Sequence, residues 1–300
     1  MFLQAFRLMA VFALLVMCGG SGTRAQDAAQ PSEAQLAFDA AVKAATNGPA
    51  DVALRELATI HLPDPYSFVP VNEAAAFMRA LGNTTGPNFA GLIIPKQDAF
   101  WFVTVNYTDS GHISDGDAKT WNADELLQSL RDGTEATNKE RVERGIPAFE
   151  VVGWVEKPTY DESTHRLVWS ILGKDQGAPQ DSESTINYNT YALGRQGYFE
   201  LNLVTGDKTI AEDKKHAGVL LAALDYKTGE RYSDFNAATD RVAEYGLAAL
   251  IGGVAAKKLG LLAVIGVALA KFWKIILIVV AVAGGGIFRL FSRRKTNTEA

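Results

Sequence analysis

Asp161, Glu162 and His165 share one short connection, two carboxylates and an imidazole near enough to serve as acid, base and orienting group. Pro158, Asp161 and Ser163 are also what a hairpin turn needs, and the turn role is the one expected. Arg195, in Leu193-Gly194-Arg195-Gln196-Gly197, presents a guanidinium that either grips a carboxylate or phosphate with two parallel bonds or ties its turn to an acidic neighbour. Asp109, Asp115 and Asp117 gather hard oxygen donors in a Gly-containing loop, a Ca²⁺-like set. Their spacing is not that of an EF-hand, and turn and helix-entry roles are expected. His61, His112, His165 and His216 lack the i, i+4 spacing of a helical metal pair. H-E-x-x-H, G-x-S-x-G, G-x-x-x-x-G-K-[ST] and a strand-to-helix G-x-G-x-x-G are all missing. No catalytic residue, metal or cofactor is therefore expected.

Strands positioning these residues are legible from composition and alternation. Ala58 to Leu62 and Tyr66 to Val69 flank the turn Pro63-Asp64-Pro65, and Phe89 to Ile94 and Phe100 to Tyr107 are rich in aromatic and β-branched residues. Two hairpins are predicted, Phe149 to Lys157 with His165 to Gly173 and Thr185 to Leu193 with Tyr198 to Val204. Helices are predicted over Val71 to Leu81, stopped by Gly82, from a cap at Asn122 to about Arg144, and over Asp207 to Leu224. Hairpins separated by helices predict an α+β domain, an antiparallel sheet with helices packed on one face.

The termini read differently. Residues 1–25 have a basic start at Arg7, an apolar stretch and a small-residue approach to Ala25, the pattern of a cleaved secretory signal. Residues 26–57 read as a tether or weak helix, and 58–244 as the exported domain, so a chain cut after Glu244 is expected to fold. Phe272 to Phe291 (FWKIILIVVAVAGGGIFRLF) is long enough for a transmembrane helix, with 292–300 as a basic cytoplasmic tail. Residues 245–271 are apolar but carry Lys257 and Lys258 centrally, and are expected to lie at the interface or form a hairpin with the span.

Charge follows the same division. From Gln26 to Glu244 there are 19 Lys+Arg against 33 Asp+Glu, a net −14, whereas after Tyr245 eight basic residues face Glu299 alone, a net +7. An acidic body with a basic apolar tail excludes nucleic acid as a partner and suits a lipid bilayer. Cys18, the single cysteine, lies in the signal-like run, so the remainder has no thiol for disulfides, Cys-based zinc sites or thiol catalysis.

Four runs carry a resemblance: Gly111 to Asp117 (GHISDGD) with Trp121 to Leu127, Gly153 to Ser170 (GWVEKPTYDESTHRLVWS), Asn187 to Leu203 (NYNTYALGRQGYFELNL) and Arg231 to Gly253 (RYSDFNAATDRVAEYGLAALIGG). Over about Ile60 to Leu262 the chain resembles a bacterial family of uncharacterised membrane-anchored proteins, domain of unknown function 2167. The resemblance implies a signal, an exported domain and a C-terminal anchor in a bacterial envelope, and no reaction; the inner membrane is the expected location. The expected role is a non-catalytic binding or interaction module whose exported domain binds another envelope protein, a ligand or a second copy. Arg195, Asn187, Asn189, Tyr160 and His165 are the side chains expected to make contact. The rival is an envelope hydrolase using Asp161, Glu162 and His165.

Overall fold

The computed structural model describes residues 32–97, 99, 101–143, 145, 147–179 and 184–252. The signal-like start, the candidate span at 272–291 and the basic tail lie outside these residues, as does most of 245–271. Among the described residues no helix is long and apolar enough to cross a membrane.

The elements are α1 (Glu33–Ala44), β1 (Thr46–Asn47), β2 (Ala50–Leu54), β3 (Ala58–Leu62), β4 (Tyr66–Val69), α2 (Val71–Ala80), β5 (Phe89–Pro95), β6 (Phe102–Thr108), α3 (Ala123–Glu143), β7 (Phe149–Asp161), β8 (Arg166–Asp175), β9 (Thr185–Leu193), β10 (Tyr198–Gly206), α4 (Ile210–Ala222) and β11 (Leu224–Tyr226). Short 3₁₀ turns occupy Gly116–Lys119 and Tyr232–Asp234. An antiparallel sheet runs β1-β4-β5-β6-β10-β9-β8-β7, and a smaller one runs β11-β3-β2.

Local chemistry explains the element ends. Asn122 accepts the backbone N–H groups of Asp124 and Glu125 at 2.8 and 3.4 Å, capping α3 as its sequence requires. Gly82 takes φ +81°, the left-handed conformation that ends α2 cheaply only at glycine. Alternate residues of β10 are buried, Phe199, Leu201 and Leu203 among them, the period of a strand between two unlike surroundings.

Those alternations place helices on both faces of the large sheet, not on one. Val103 and Val105 of β6, Phe199, Leu201 and Leu203 of β10 and Ile186 and Tyr188 of β9 share a core with α4 and the small sheet. On the other face, α1 and α2 cover Phe89, Leu92 and Ile94 of β5. Beside them Leu126 of α3 and the chain after Ala243 cover Leu167 and Trp169 of β8 and Tyr191 and Leu193 of β9. Both sides of β8 and β9 carry large apolar residues, which is why one helical layer does not suffice.

Two boundaries also move. Ala50–Leu54, expected in a tether, pairs with β3 from Ala50↔Leu62 to Leu54↔Ala58 and buries Leu54. At the other end Leu247, Ala248, Leu250 and Ile251, assigned by composition to the membrane-associated stretch, are buried in the domain's own core. A helical turn at 248–252 opens there, capped by Asp117, whose Oδ1 and Oδ2 accept the N–H groups of Leu247 and Ala248 at 3.1 and 3.0 Å.

Candidate functional site

The four runs that carry the resemblance are distant in sequence and meet in one place. Ile113 from the first, Leu167 and Trp169 from the second, Tyr191 and Leu193 from the third and Leu247 and Ile251 from the fourth form one buried cluster. The segment from Gly229 to Ala243 is laced across the sheet end by bridges Gly194↔Arg231 and His112↔Val242.

At the rim of this cluster the hairpin between β7 and β8 delivers two of the expected contact residues together. Tyr160 donates its hydroxyl to Asp115 Oδ2 at 2.8 Å, and the same oxygen lies 3.0 Å from His165 Nδ1. His165 Nδ1 is 3.7 Å from Asp115 Oδ2, and both side chains remain about a quarter exposed. The backbone of His165 has φ +53°, a left-handed conformation that costs a non-glycine residue about 1–3 kcal/mol, and the N–H of Leu193 holds its carbonyl at 3.0 Å. Its ring stacks on Tyr232 at 4.1 Å, Tyr232 packs on His112 at 4.2 Å, and His112 stacks on Phe235 at 3.9 Å. The Tyr232 hydroxyl donates to the Ile113 carbonyl at 2.8 Å. Burial, reinforced by Asp115, pushes both the Tyr160 and Tyr232 hydroxyls above the usual tyrosine range, so both stay protonated donors.

Asn187 and Asn189 lie elsewhere, on the sheet face between the two helical groups. Asn202 stands opposite Asn189 on one side and Thr104 on the other, giving a polar row across β6, β10 and β9. Asn202 Nδ2 donates to Asn187 Oδ1 at 3.2 Å, while Asn202 Oδ1 is buried with no partner. Glu200 accepts the Tyr191 hydroxyl at 3.0 Å, and burial raises its carboxyl above the usual range.

Arg195 is not free to grip a ligand. Its Nε and Nη2 donate to Asp240 Oδ2 and Oδ1 at 2.7 and 2.8 Å, and Nη1 donates to the Gly229 carbonyl at 3.0 Å. Asp240, whose side chain keeps 4 % of its surface, is held far below the usual carboxylate range, first by this guanidinium and then by the Asn236 N–H. The fork therefore ties the β9–β10 turn to the following strap, the structural alternative of the two that its sequence position allows. Arg195→Ala and Asp240→Ala are each expected to lower Tm, and the double variant to cost little more than either alone. Thermal unfolding of the three checks this. The pair's contribution is present above pH 3.8 and falls away on acidification through the lower folded value.

The rival catalytic set is not assembled. Asp161 accepts the Ser163 N–H and hydroxyl at 2.9 and 2.6 Å and the Thr164 hydroxyl at 2.8 Å, so it builds the turn. These bonds lower its pKa to about 2. Glu162 pairs with Lys119 at 3.0 Å on the surface. The Ca²⁺-like trio also disperses: Asp109 meets Arg241, Asp115 meets Tyr160 and Asp117 caps the turn at 247. Among the described residues no group of His, Asp and Glu is placed to hold a metal ion. Sequence reasoning missed Tyr232, Glu200, Asn202 and Asp240. The alternation within β10 could have placed Glu200 and Asn202 opposite the core residues of that strand.

A family model described as "Protein of unknown function (DUF2167)" matches residues 46–282. The chain belongs to this family. No curated protein was found to match it. Solved structures with some likeness include the cyanobacterial PsbP (CyanoP) from Synechocystis sp. PCC 6803, with 10% identity and a TM-score of 0.36 over 71% of this chain and 99% of that one. A mutant of the protein Mog1 has 10% identity and a TM-score of 0.30 over 59% of this chain and 94% of its own. PA94 from Pseudomonas aeruginosa, a protein of unknown function and putative regulator, has 10% identity and a TM-score of 0.22 over 56% of this chain and 90% of its own. Likeness this low carries no functional argument.

Two imidazoles of this DUF2167 protein are set on opposite sides of the ordinary histidine value. His61 Nδ1 donates to Asp51 Oδ1 at 2.6 Å, and the imidazole is raised above 6.5 first by that bond. His112 is lowered below 6.5 by burial, and its Nδ1 is buried without a partner. NMR titration is expected to resolve His61 above and His112 below 6.5. The contribution of His61 to stability is present below 6.5 and lost as pH rises through its folded value. That of His112 is present above 6.5 and lost as pH falls through its own.

Proposed function

We propose that this protein is a bacterial envelope protein held at the inner membrane by its apolar C-terminal segment, with the α+β domain on the outside acting as a non-catalytic binding module. The observation that carries the binding role is the commitment of the reactive side chains. Arg195, Asp161, Glu162, Asp117 and Asp109 are each spent on an internal bond, whereas the Asp115, Tyr160 and His165 cluster is rigidly supported and partly open. A rigid, partly open polar cluster suits recognition, since little ordering entropy is lost when it is occupied. The signal-like start and the apolar span support the placement at the membrane. A photo-crosslinking residue at Glu162, beside the cluster, is expected to give a discrete adduct in intact cells, and one at Asn72 on α2 to give none. Identical adduct patterns from both positions would remove the support for a site at this rim.

A further inference from the structure

The Tyr160 hydroxyl has one proton, and it goes to the Asp115 carboxylate at 2.8 Å, the stronger of the two acceptors in reach. The His165 nitrogen 3.0 Å from the same oxygen must then supply a proton itself, so Nδ1 carries the hydrogen. In the neutral ring this leaves Nε2 as an unprotonated acceptor. Among the described residues no hydrogen bond reaches Nε2, it is not among the buried side-chain nitrogens left without a partner, and the side chain keeps 27 % of its surface. The ring cannot easily turn away. It is pinned by the Tyr232 face at 4.1 Å, by Tyr160, and by the Leu193 N–H on its own carbonyl.

We propose that His165 Nε2 is the open end of an Asp115, Tyr160 and His165 relay that receives a cationic N–H group, an ammonium or guanidinium, from a ligand. This rests on the binding role given to the cluster above and names the chemistry of what binds.

The choice of a cation follows from charge. The relay ends on the carboxylate of Asp115, so a donor arriving at Nε2 polarises the whole chain of hydrogen bonds toward a negative group. Glu162 is balanced by Lys119, while Asp161 in the adjoining turn remains ionised. Among the described residues neither Asp115 nor Asp161 has a Lys or Arg in salt-bridge range, on a body whose Gln26 to Glu244 stretch is itself net −14 by 19 Lys+Arg against 33 Asp+Glu. A cation is drawn to such a surface and an anion repelled. A neutral hydroxyl gains the hydrogen bond but not the charge.

The test uses the full-length protein in detergent with ¹⁵N-labelled histidine. At pH 8, His165 is expected in the Nδ1–H form with Nε2 in the acceptor range, and Tyr160→Phe is expected to return it to the mixture typical of a free ring. Nα-acetyl-arginine amide should move the Nε2 resonance saturably in the millimolar range, and the neutral isostere Nα-acetyl-citrulline amide should bind at least tenfold more weakly. Asp115→Asn should weaken the arginine probe several-fold while keeping the fold's amide spectrum. An Nε2–H ring at pH 8, or equal responses to the arginine and citrulline probes, would overturn the proposal. Either result beside a specific adduct at Glu162 would leave the binding role standing and remove only the relay or the cationic ligand.

Discussion

A chain ending at Glu244 is expected to lose cooperative unfolding, and one ending at Gly252 to keep it. Composition alone argues the reverse, because the residues after Glu244 look like the start of a membrane segment. In the fold, however, Leu247, Leu250 and Ile251 are 0 %, 8 % and 2 % exposed and pack on Leu167, Trp169 and Tyr191. Removing a buried Leu or Ile side chain costs about 2–5 kcal/mol. Three such losses reach the about 5–15 kcal/mol that holds a typical domain together. The Tyr191 hydroxyl would also lose the Leu250 carbonyl, 3.2 Å away. Near-UV circular dichroism during thermal unfolding separates the two chains. A sharp transition in the shorter one would show that the turn at 248–252 is only a passenger.

Asp117→Ala is expected to lower Tm by roughly 5–10 °C, because each buried N–H left without a partner costs about 1–3 kcal/mol in a chain of this size. Asp117 is 8 % exposed and serves both Leu247 and Ala248. Asp117→Asn keeps one acceptor oxygen and is expected to recover about half of the loss. Gly246→Ala should resemble Asp117→Ala, since a Cβ at 246 would sit 2.4 Å from Asp117 Oδ2. Burial raises the Asp117 carboxyl above 3.8, ahead of the opposing pull of the Ala248 and Leu247 N–H groups. The proton-linked part of its contribution is thus fully present below 3.8 and is lost as pH rises through the folded value, beside the two N–H bonds that Asp117→Ala removes, and Asp117→Asn should flatten that slope. If all three variants melt with the wild type, the cap does not hold this turn in place.

Both predictions depend on contacts that sequence patterns describe poorly. The strands were legible where alternation is strong, as in Phe102–Thr108 and Tyr198–Gly206, and α2 was legible from its stop at Gly82. Ala50–Leu54 was not, since a five-residue strand with two alanines has little apolar signal of its own and is defined by pairing with β3. Residues 247–251 were misassigned for a physical reason: an apolar turn facing a protein core and one facing lipid have the same composition. Tyr160 and His165 are both legible as candidate contacts, five residues apart at one hairpin turn. Asp115, which completes their relay, and Asp240, which occupies Arg195, are each 45 residues from their partner and become visible only with the register of the fold.

On the proposed function, the Asp115, Tyr160 and His165 rim serves recognition and not stability. This role is tested most directly by introducing His165→Gln into the protein carrying the photo-crosslinker at Glu162, and measuring adduct yield in cells and Tm of the purified protein on the same sample. The adduct is expected to fall at least tenfold while Tm moves by no more than about 3 °C, close to the effect of an ordinary partly exposed substitution. An undiminished adduct, or a loss of adduct that follows a collapse in Tm, would contradict it.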